Sequence, residues 1–153
     1  LLLAVALSMG ACANKNPLDA NGAIGGAATP GSQQDSVVNV GDRVFFESDQ
    51  TDLSPQATAT LDKQAQWLQT YNRYSFTIEG HADERGTREY NLALGARRAS
   101  AVQEYLIAQG VGSDRIRTLS FGKERPREVC SDEACYANNR RAVTVVSATG
   151  AGS

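Results

Sequence analysis

Residues 80–99, GHADERGTREYNLALGARRA, limit what this chain can fold into more than any other stretch, because they hold its densest run of charge. Residues 74–79 before them alternate Tyr, Phe and Ile with Ser, Thr and Glu, which is the pattern of a half-buried strand. Residues 87–109 have apolar side chains at helical spacing, and Gly110 is typical of a helix end. The charged stretch is therefore predicted to join a strand to a long helix.

Another helix and three more strands are predicted around this junction. Ser54 and Pro55 are typical of an N-cap and a first helical position. The buried stripe of the helix that follows is predicted to be Ala57, Leu61, Ala65 and Leu68. For the later helix it is Leu92, Ala96, Ala99, Val102 and Leu106. Strands are predicted at 44–47, 74–80, 115–121 and 142–146, with a loop at 122–135. The order β-α-β-α-β-β predicts an α/β (α+β) sandwich, with two main helices on one face of a mixed sheet.

The first residues are typical of an export signal. Residues 1–11 are apolar and small, and they are too few to span a bilayer. Gly10 and Ala11 precede Cys12 as in a bacterial lipobox, where the cysteine carries lipid, although Met9 stands where Leu is commonest. Because the chain starts without Met or a basic segment, we expect a truncated signal peptide. A generic secretory leader or a buried apolar segment is the alternative.

The composition then changes twice along the chain. Residues 12–39 are rich in Gly, Ala, Asn, Ser and Gln, which cannot bury enough surface to offset their ordering entropy. We therefore predict a flexible tether with a reach of roughly 30 Å. Residues 40–148 are predicted to form the folded domain, and residues 149–153 a disordered tail. A net charge of −2 gives no reason to expect nucleic acid as a partner.

Cys130 and Cys135 flank the four residues Ser-Asp-Glu-Ala. In an exported protein a disulfide between them is plausible, and two free thiols are the alternative. Two cysteines without a histidine nearby make a poor zinc site, so neither a metal nor a cofactor is predicted.

The helix carries the candidate binding residues on one side. At 100° per residue, Asn91, Leu94 and Arg98 cluster beside the apolar stripe, whereas Arg97 points to solvent. A guanidinium binds a carboxylate through two parallel hydrogen bonds. Asp83, in the loop before the helix, has the charge to bind an ammonium group. Together Asp83 and Arg98 would hold a zwitterionic ligand, or they would pair with each other as a structural ion pair, and spacing alone leaves both possibilities open.

An enzyme is not predicted. His81 is the only histidine, no Ser or Cys lies in a nucleophile-elbow pattern, and scattered carboxylates do not make a zinc set. We expect His81 to order the junction through hydrogen bonds. Gly80 and Gly86 are expected to supply turn conformations, and the charges of Glu84 and Arg85 to be solvated.

The run EGHADERGTREYNLALGARRA resembles the signature of the OmpA-like peptidoglycan-binding domain family, and most of all its peptidoglycan-associated lipoproteins. Further matches are FFESDQTDL, SFGKERP and NNRRAV, so the resemblance covers residues 43–146. It implies a lipoprotein of the outer membrane whose domain faces the periplasm. Such a protein would bind the diaminopimelate residue of the peptidoglycan peptide stem non-covalently. Within the Tol-Pal system it would tether the outer membrane to the cell wall, maintain envelope integrity and support constriction at division.

The same resemblance implies roles for individual residues. Asp83 would bind the diaminopimelate ammonium, and Arg98 would bind a carboxylate. Asn91 and Leu94 would line the groove. The segment from residue 46 to residue 49 would close its other side, largely through backbone, by means of Phe46, Glu47 and Asp49. Glu47 stands where many relatives have Asp, so no side-chain role is carried over to it.

The resemblance also implies partners. These are peptidoglycan, TolB and other Tol-Pal components, and the membrane through lipid on Cys12. In the family the TolB surface overlaps the cell-wall groove. An alternative function is therefore a protein-interaction module that binds TolB or other envelope proteins. A purely structural lipoprotein is a third possibility, and it would not need the pair of Asp83 and Arg98. No function is carried over to the loop between Cys130 and Cys135.

Overall fold

The computed structural model describes residues 28–148. The elements, in chain order, are α1 (Gln33–Asp35), a π-helical turn (Ser36–Val40), β1 (Arg43–Phe45), α2 (Pro55–Thr70), β2 (Tyr74–His81), α3 (Arg88–Ala108), a 3-10 turn (Ser113–Arg115), β3 (Ile116–Gly122), α4 (Glu133–Asn139) and β4 (Arg141–Ala148). The predicted leader, Cys12, most of the predicted tether and the predicted tail lie outside the described residues. Among the helices between residues 28 and 148, none has the length and apolar character needed to cross a membrane.

The four strands form one mixed sheet in the order β1-β4-β2-β3. β4 pairs antiparallel with both β1 and β2, while β2 and β3 run parallel. Gly80 of β2 lies opposite Ala142 of β4 and beside Ser120 of β3. The end of β2, the end of β3 and the start of β4 therefore meet at one edge of the sheet. The predicted α/β sandwich with a mixed sheet is confirmed.

The hydrophobic core lies between the sheet and the two long helices. The hydroxyl of Ser54 accepts a hydrogen bond from the Ala57 amide at 3.0 Å and caps α2, as predicted. All four residues of the predicted apolar stripe of α2 are buried, and Leu61 has 0% exposure. Truncating such a leucine to alanine typically costs about 2–5 kcal/mol of stability. Trp67 stacks on Tyr74 with ring centroids 5.3 Å apart, at the edge of the core.

The predicted buried stripe of α3 is partly wrong. Ala96 is exposed and Leu92 only half-buried, while Leu94 and Gly95 are buried instead. The cause is a close approach of α3 to β2, because a Cβ on Gly80 would lie 1.7 Å from the carbonyl oxygen of Gly95. Gly80 therefore permits backbone contact instead of supplying the predicted turn.

The turn expected in the loop after β2 is found at its other glycine. Gly86 has a φ of 98°, a conformation that side chains disfavour. The loop that carries Asp83 therefore ends in a turn just before Thr87, whose hydroxyl caps α3 by accepting from the Tyr90 amide at 3.1 Å.

The last part of the predicted tether is structured here. The carboxylate of Asp35 accepts hydrogen bonds from the Trp67 indole at 2.8 Å and from the Gly31 amide at 2.7 Å. Asn39 donates to the other oxygen at 2.7 Å. The folded part consequently begins before residue 40, because one buried acid pins residues 31–39 to α2, which polar composition alone does not reveal.

A short helix, α4, begins within the predicted loop at 122–135 and continues into residues for which no element was predicted. Its N-cap is Asp132, whose carboxylate accepts from the Cys135 amide at 3.1 Å. Only Cys135 and Asn139 of this helix are buried. A helix of seven residues with so small a buried face has no detectable apolar stripe, and the prediction missed it for that reason.

Candidate functional site

A groove opens at the edge of the sheet where the loop after β1, the loop after β2 and the first half of α3 come together. It is lined by Ser48, Asp49, Asp83, Arg85, Gly86, Tyr90, Asn91, Leu94 and Arg98. Four of the predicted site residues, Asp49, Asp83, Asn91 and Leu94, share this wall with Arg98. The topology brings these residues together, because the junction between β2 and α3 lies beside the loop that follows β1.

Arg98 is completely buried, at 0% exposure. Its guanidinium donates to the backbone carbonyls of Gln50 at 2.9 Å, His81 at 2.9 Å and Glu47 at 3.0 Å. The ring of Phe46 lies 5.1 Å from its central carbon. A guanidinium has five N–H donors, so donors remain after these three bonds.

The charges of Asp83 and Asp49 favour the cationic form of Arg98, but neither acid pairs with it directly. Burial, followed by the charge of Arg140, lowers the pKa of Arg98 to about 10, so the side chain stays cationic at neutral pH. Within residues 28–148, no carboxylate lies at ion-pair distance from it. Buried charges in proteins are ordinarily paired. Arg98 is therefore a fixed cation beside an open groove, with donors to spare.

Asp83 is the acid of the groove, and its carboxylate is 8% exposed. It accepts from the Arg85 amide at 3.0 Å, from Arg85 Nε at 3.1 Å and from Arg85 Nη2 at 2.6 Å. Arg140 Nη1 donates to it as well, at 3.3 Å. Burial opposes ionisation, but the hydrogen bonds from Arg85 and Arg140 outweigh it and hold the pKa of Asp83 below its usual value. Asp83 is therefore an anion at neutral pH.

Asp83 and Arg98 line one groove without touching each other. The acid is satisfied by two other arginines and the base by three carbonyls, and in the described part of the chain no hydrogen bond or ion pair joins the two. The alternative of a direct structural ion pair is therefore wrong. Arg97 is exposed while Arg98 is buried, as the helical phase predicted.

The remaining predicted residues support the groove in different ways. Asn91 donates to the carbonyls of Arg85 at 2.8 Å and Thr87 at 3.0 Å, which fixes the loop over α3. Leu94, at 3% exposure, gives the wall an apolar patch. Phe46 and Glu47 are not on the wall. The Phe46 ring packs under Arg98, and Glu47 contributes only its carbonyl.

Asp49 and Tyr90 close the mouth of the groove. Asp49 has a φ of 58°, the left-handed conformation that Asp tolerates better than most residues. Its carboxylate accepts a hydrogen bond from the Tyr90 hydroxyl at 3.0 Å. Tyr90 was not predicted as a site residue, because one aromatic at the start of a helix has no distinguishing pattern.

Arg140 was also missed by the sequence reasoning. Its side chain is 4% exposed and donates to the Phe46 carbonyl at 2.8 Å, to Asp83 and, at 2.7 Å, to Glu133. A signal was available. Arg140 directly precedes β4, and the start of an antiparallel β4 must lie beside the end of β2, close to Asp83.

Arg85 is not the solvated loop charge that was expected. Besides binding Asp83, it donates to the Ser48 hydroxyl at 3.2 Å across the groove, and its guanidinium lies 4.3 Å from the Tyr136 ring. Glu84 is likewise engaged, since it accepts from the Ser131 hydroxyl at 2.7 Å. The prediction failed because, apart from Asp83, the partners lie in distant segments, namely the loop after β1 and α4 with its approach.

We expected His81 to order the junction through hydrogen bonds, and its backbone carbonyl does so while its ring does not. The ring is 2% exposed, and neither nitrogen has a hydrogen-bond partner among the described residues. Glu79 Oε1 lies 3.5 Å from Nε2 without hydrogen-bond geometry. Burial, followed by the charges of Arg141, Arg125 and Arg43, lowers the pKa of His81 to about 4, so the ring is neutral. His81 serves the site through its carbonyl, which accepts from Arg98.

A disulfide joins Cys130 and Cys135, whose Cα atoms are 5.8 Å apart. The bond closes the turn that leads into α4, the helix carrying Glu133 and Tyr136. Asp132 lies close to both sulfur atoms, but bridged sulfurs lack the thiolate character that metal ligands need.

Comparisons with known proteins place the chain in a family. The OmpA family model matches residues 45–144. A relative from Rhizobium meliloti (strain 1021), named a peptidoglycan-associated lipoprotein, is 59% identical over 154 residues, covering 98% of this chain and 88% of the relative. A protein of the same name from Pseudomonas aeruginosa is 40% identical over 153 residues, covering 92% of this chain and 90% of that protein.

Solved structures agree with the sequence relatives. The crystal structure of the peptidoglycan-associated lipoprotein from Burkholderia pseudomallei matches with a TM-score of 0.70 and 40% identity, covering 74% of this chain and 97% of that one. The C-terminal domain of MotB from Helicobacter pylori matches with a TM-score of 0.66 at 21% identity, covering 71% and 86%, which shows the fold alone. The resemblance drawn from the sequence motifs is thereby confirmed, and the chain belongs to the OmpA family.

Proposed function

We propose that this chain binds peptidoglycan non-covalently, by holding the diaminopimelate residue of a peptide stem in the groove. The observation that carries the proposal is the buried Arg98, a cation that has no acidic partner in the described structure and has donors left over. Leaving such a group unpaired costs free energy, which an incoming carboxylate would recover. Arg98 borders the groove through which that carboxylate would approach.

The second charge of the groove fits the other half of the ligand. Diaminopimelate offers both a carboxylate and an ammonium at its free end. In the proposed complex Arg98 binds the carboxylate and Asp83 binds the ammonium, while Leu94 contacts the aliphatic chain between them. Asp83 and Arg98 do not pair with each other, so a ligand that carries both charges would meet each of them separately.

The names of the relatives support peptidoglycan as the ligand. Those from Rhizobium meliloti and Pseudomonas aeruginosa are named for association with peptidoglycan and for being lipoproteins. By extension we propose lipid on Cys12, an outer-membrane anchor, a domain that faces the periplasm, and a role in the Tol-Pal system. Residues 12–27 would then form the span between the lipid and the folded part.

We also propose binding without catalysis. The one histidine, His81, is buried and neutral, and its ring lies away from the groove wall. A general acid or base must reach the proton that it transfers. The groove offers fixed charges that recognise a ligand, and the proposal assigns no covalent step to it.

A second proposal is that TolB or another envelope protein binds at the same mouth. The Tyr90 ring is 45% exposed at the rim, beside the half-exposed Arg85. Tyrosine and arginine are enriched among the residues that dominate protein–protein interfaces. Because these residues border the groove, a protein partner bound there would compete with the cell wall.

Sedimentation with purified peptidoglycan of the diaminopimelate type tests the first proposal. Asp83→Ala should lower the affinity by roughly ten- to a hundredfold, since one charge-assisted contact is worth about 1.5–3 kcal/mol. Arg97→Ala, which removes an exposed charge one residue away from Arg98, is the matched control and should bind as the unaltered chain does. Circular dichroism establishes that both variants are folded. Undiminished sedimentation of Asp83→Ala would refute the proposal.

A further inference from the structure

The carboxylate of Asp83 has no free acceptor position in this structure. Two carboxylate oxygens offer about four lone-pair positions. Oδ1 accepts from the amide and the Nε of Arg85, and Oδ2 accepts from Arg85 Nη2 and from Arg140 Nη1. A ligand ammonium can therefore reach Asp83 only if one of these donors leaves.

The two arginines differ in their freedom to leave. The Arg140 side chain is 4% exposed and is also bonded to the Phe46 carbonyl and to Glu133. The Arg85 side chain is 45% exposed, and its other contacts are the Ser48 hydroxyl and the Tyr136 ring. An ion pair with one solvent-exposed partner holds that partner less tightly than an ion pair buried on both sides. Arg85 is the donor that can be displaced.

We propose that Arg85 competes with the ligand for Asp83 by occupying the cation position of the groove, so that a ligand's ammonium reaches Asp83 only by replacing the guanidinium. The proposal rests on the proposed function, because it concerns the same Asp83 and the same ligand. Arg140 stays bound to Asp83 throughout and keeps the carboxylate oriented. The exchanged Arg85 remains at the rim, where the Tyr136 ring already lies 4.3 Å from its guanidinium.

This competition affects only ligands that carry an ammonium group. A ligand with a carboxylate but no ammonium can bind Arg98 while Arg85 stays on Asp83, and it gains nothing from Asp83. A ligand with both charges has to break the contacts of Arg85 with Asp83, so part of its binding free energy is spent on displacement. Removing the Arg85 side chain should therefore help only the ligand that carries the ammonium.

Isothermal titration of the full chain with two soluble peptides tests the proposal. One probe is a stem tripeptide ending in meso-diaminopimelate, and the other is the same peptide with the free amine of that residue acetylated. Arg85→Ala should bind the first about fivefold more tightly than the unaltered chain does, which corresponds to an exposed ion pair. Its affinity for the acetylated peptide should not rise. Arg88→Ala is the matched control, because Arg88 is an exposed arginine paired with Glu124 outside the groove.

The double variant Asp83→Ala with Arg85→Ala separates this proposal from the one on which it rests. If Arg85 acts by competing for Asp83, its removal has no effect once Asp83 is gone. An unchanged or weaker affinity of Arg85→Ala for the amine-bearing peptide would overturn the role of Arg85 while leaving groove binding intact. If Asp83→Ala alone binds that peptide as well as the unaltered chain does, the proposed function itself fails.

Discussion

An arginine lies beside each end of β2, and backbone carbonyls bind the two guanidinium groups in nearly the same way. At the end of the strand, Arg98 donates to three backbone carbonyls at 2.9–3.0 Å. At the start, Arg115 donates to the carbonyls of Tyr74 and Leu68 at 2.9 Å, and to that of Tyr71 at 3.4 Å. Neither arginine has a carboxylate at ion-pair distance within residues 28–148. Carbonyl contacts alone therefore do not mark a ligand site.

The surroundings of the two arginines make the difference. Arg98 borders an open groove that also contains Asp83, an acid satisfied by other residues. Arg115 joins the end of α2 to the start of β2, and the acid that acts on its charge within residues 28–148 is its sequence neighbour Asp114. An arginine bound to carbonyls is therefore a candidate ligand site only if it also borders an open groove with a second charged residue. We interpret Arg115 as structural and Arg98 as both structural and ligand-binding.

Substituting lysine at each end should separate the two roles, with the largest effect on binding. Lysine keeps the positive charge but cannot fork over three carbonyls. Both Arg98→Lys and Arg115→Lys should therefore lose about 1–3 kcal/mol of unfolding free energy, measured by denaturant titration. Only Arg98→Lys should also lose peptidoglycan binding, by roughly a hundredfold. Equal loss of binding in both folded variants would remove the distinction between the two ends.

Acid should loosen the groove end before the other end, because the only histidine of the chain lies there. The pKa of His81 is about 4 in the folded chain against an ordinary value of 6.5. Between pH 6.5 and about 4, His81 binds a proton in the unfolded chain but not in the folded chain. Stability that is fully present above pH 6.5 is therefore lost as the pH falls towards 4, by about 3 kcal/mol.

The pH dependence of denaturant unfolding measures this loss, and His81→Gln should abolish most of it. Hydrogen exchange at pH 5 should show faster opening around residues 80–87 than around residues 111–117. A slope that is the same with and without His81 would contradict the assignment of the acid response to this ring.

Local patterns predicted much of the fold and the central residue of the site. The cap at Ser54, the start of α3 near Thr87 and the alternation in β2 are contained in a few neighbouring residues. Helical phase was enough to separate the buried Arg98 from the exposed Arg97, although Ala96 was wrongly assigned to the buried stripe of α3. The error came from Gly95, whose importance depends on contact with Gly80 in another element.

Contacts between distant segments account for what the sequence did not reveal. Asp83 is neutralised by Arg85 and by Arg140, the latter 57 positions away in the chain. Glu133 and Tyr136 hold those arginines from α4, a helix too short to have a recognisable period. The antiparallel pairing of β2 and β4 brings these partners together. The spacing of residues within one segment does not reveal that pairing.

The role of Arg98 in binding a carboxylate of the ligand can be tested by titrating the chain with two peptides. Stem tripeptides ending in diaminopimelate or in lysine differ by the second carboxylate. The unaltered chain should prefer the diaminopimelate peptide by about tenfold or more, and Arg98→Lys should lose most of that preference. Equal affinity of the unaltered chain for the two peptides, or a full preference retained in Arg98→Lys, would contradict the account.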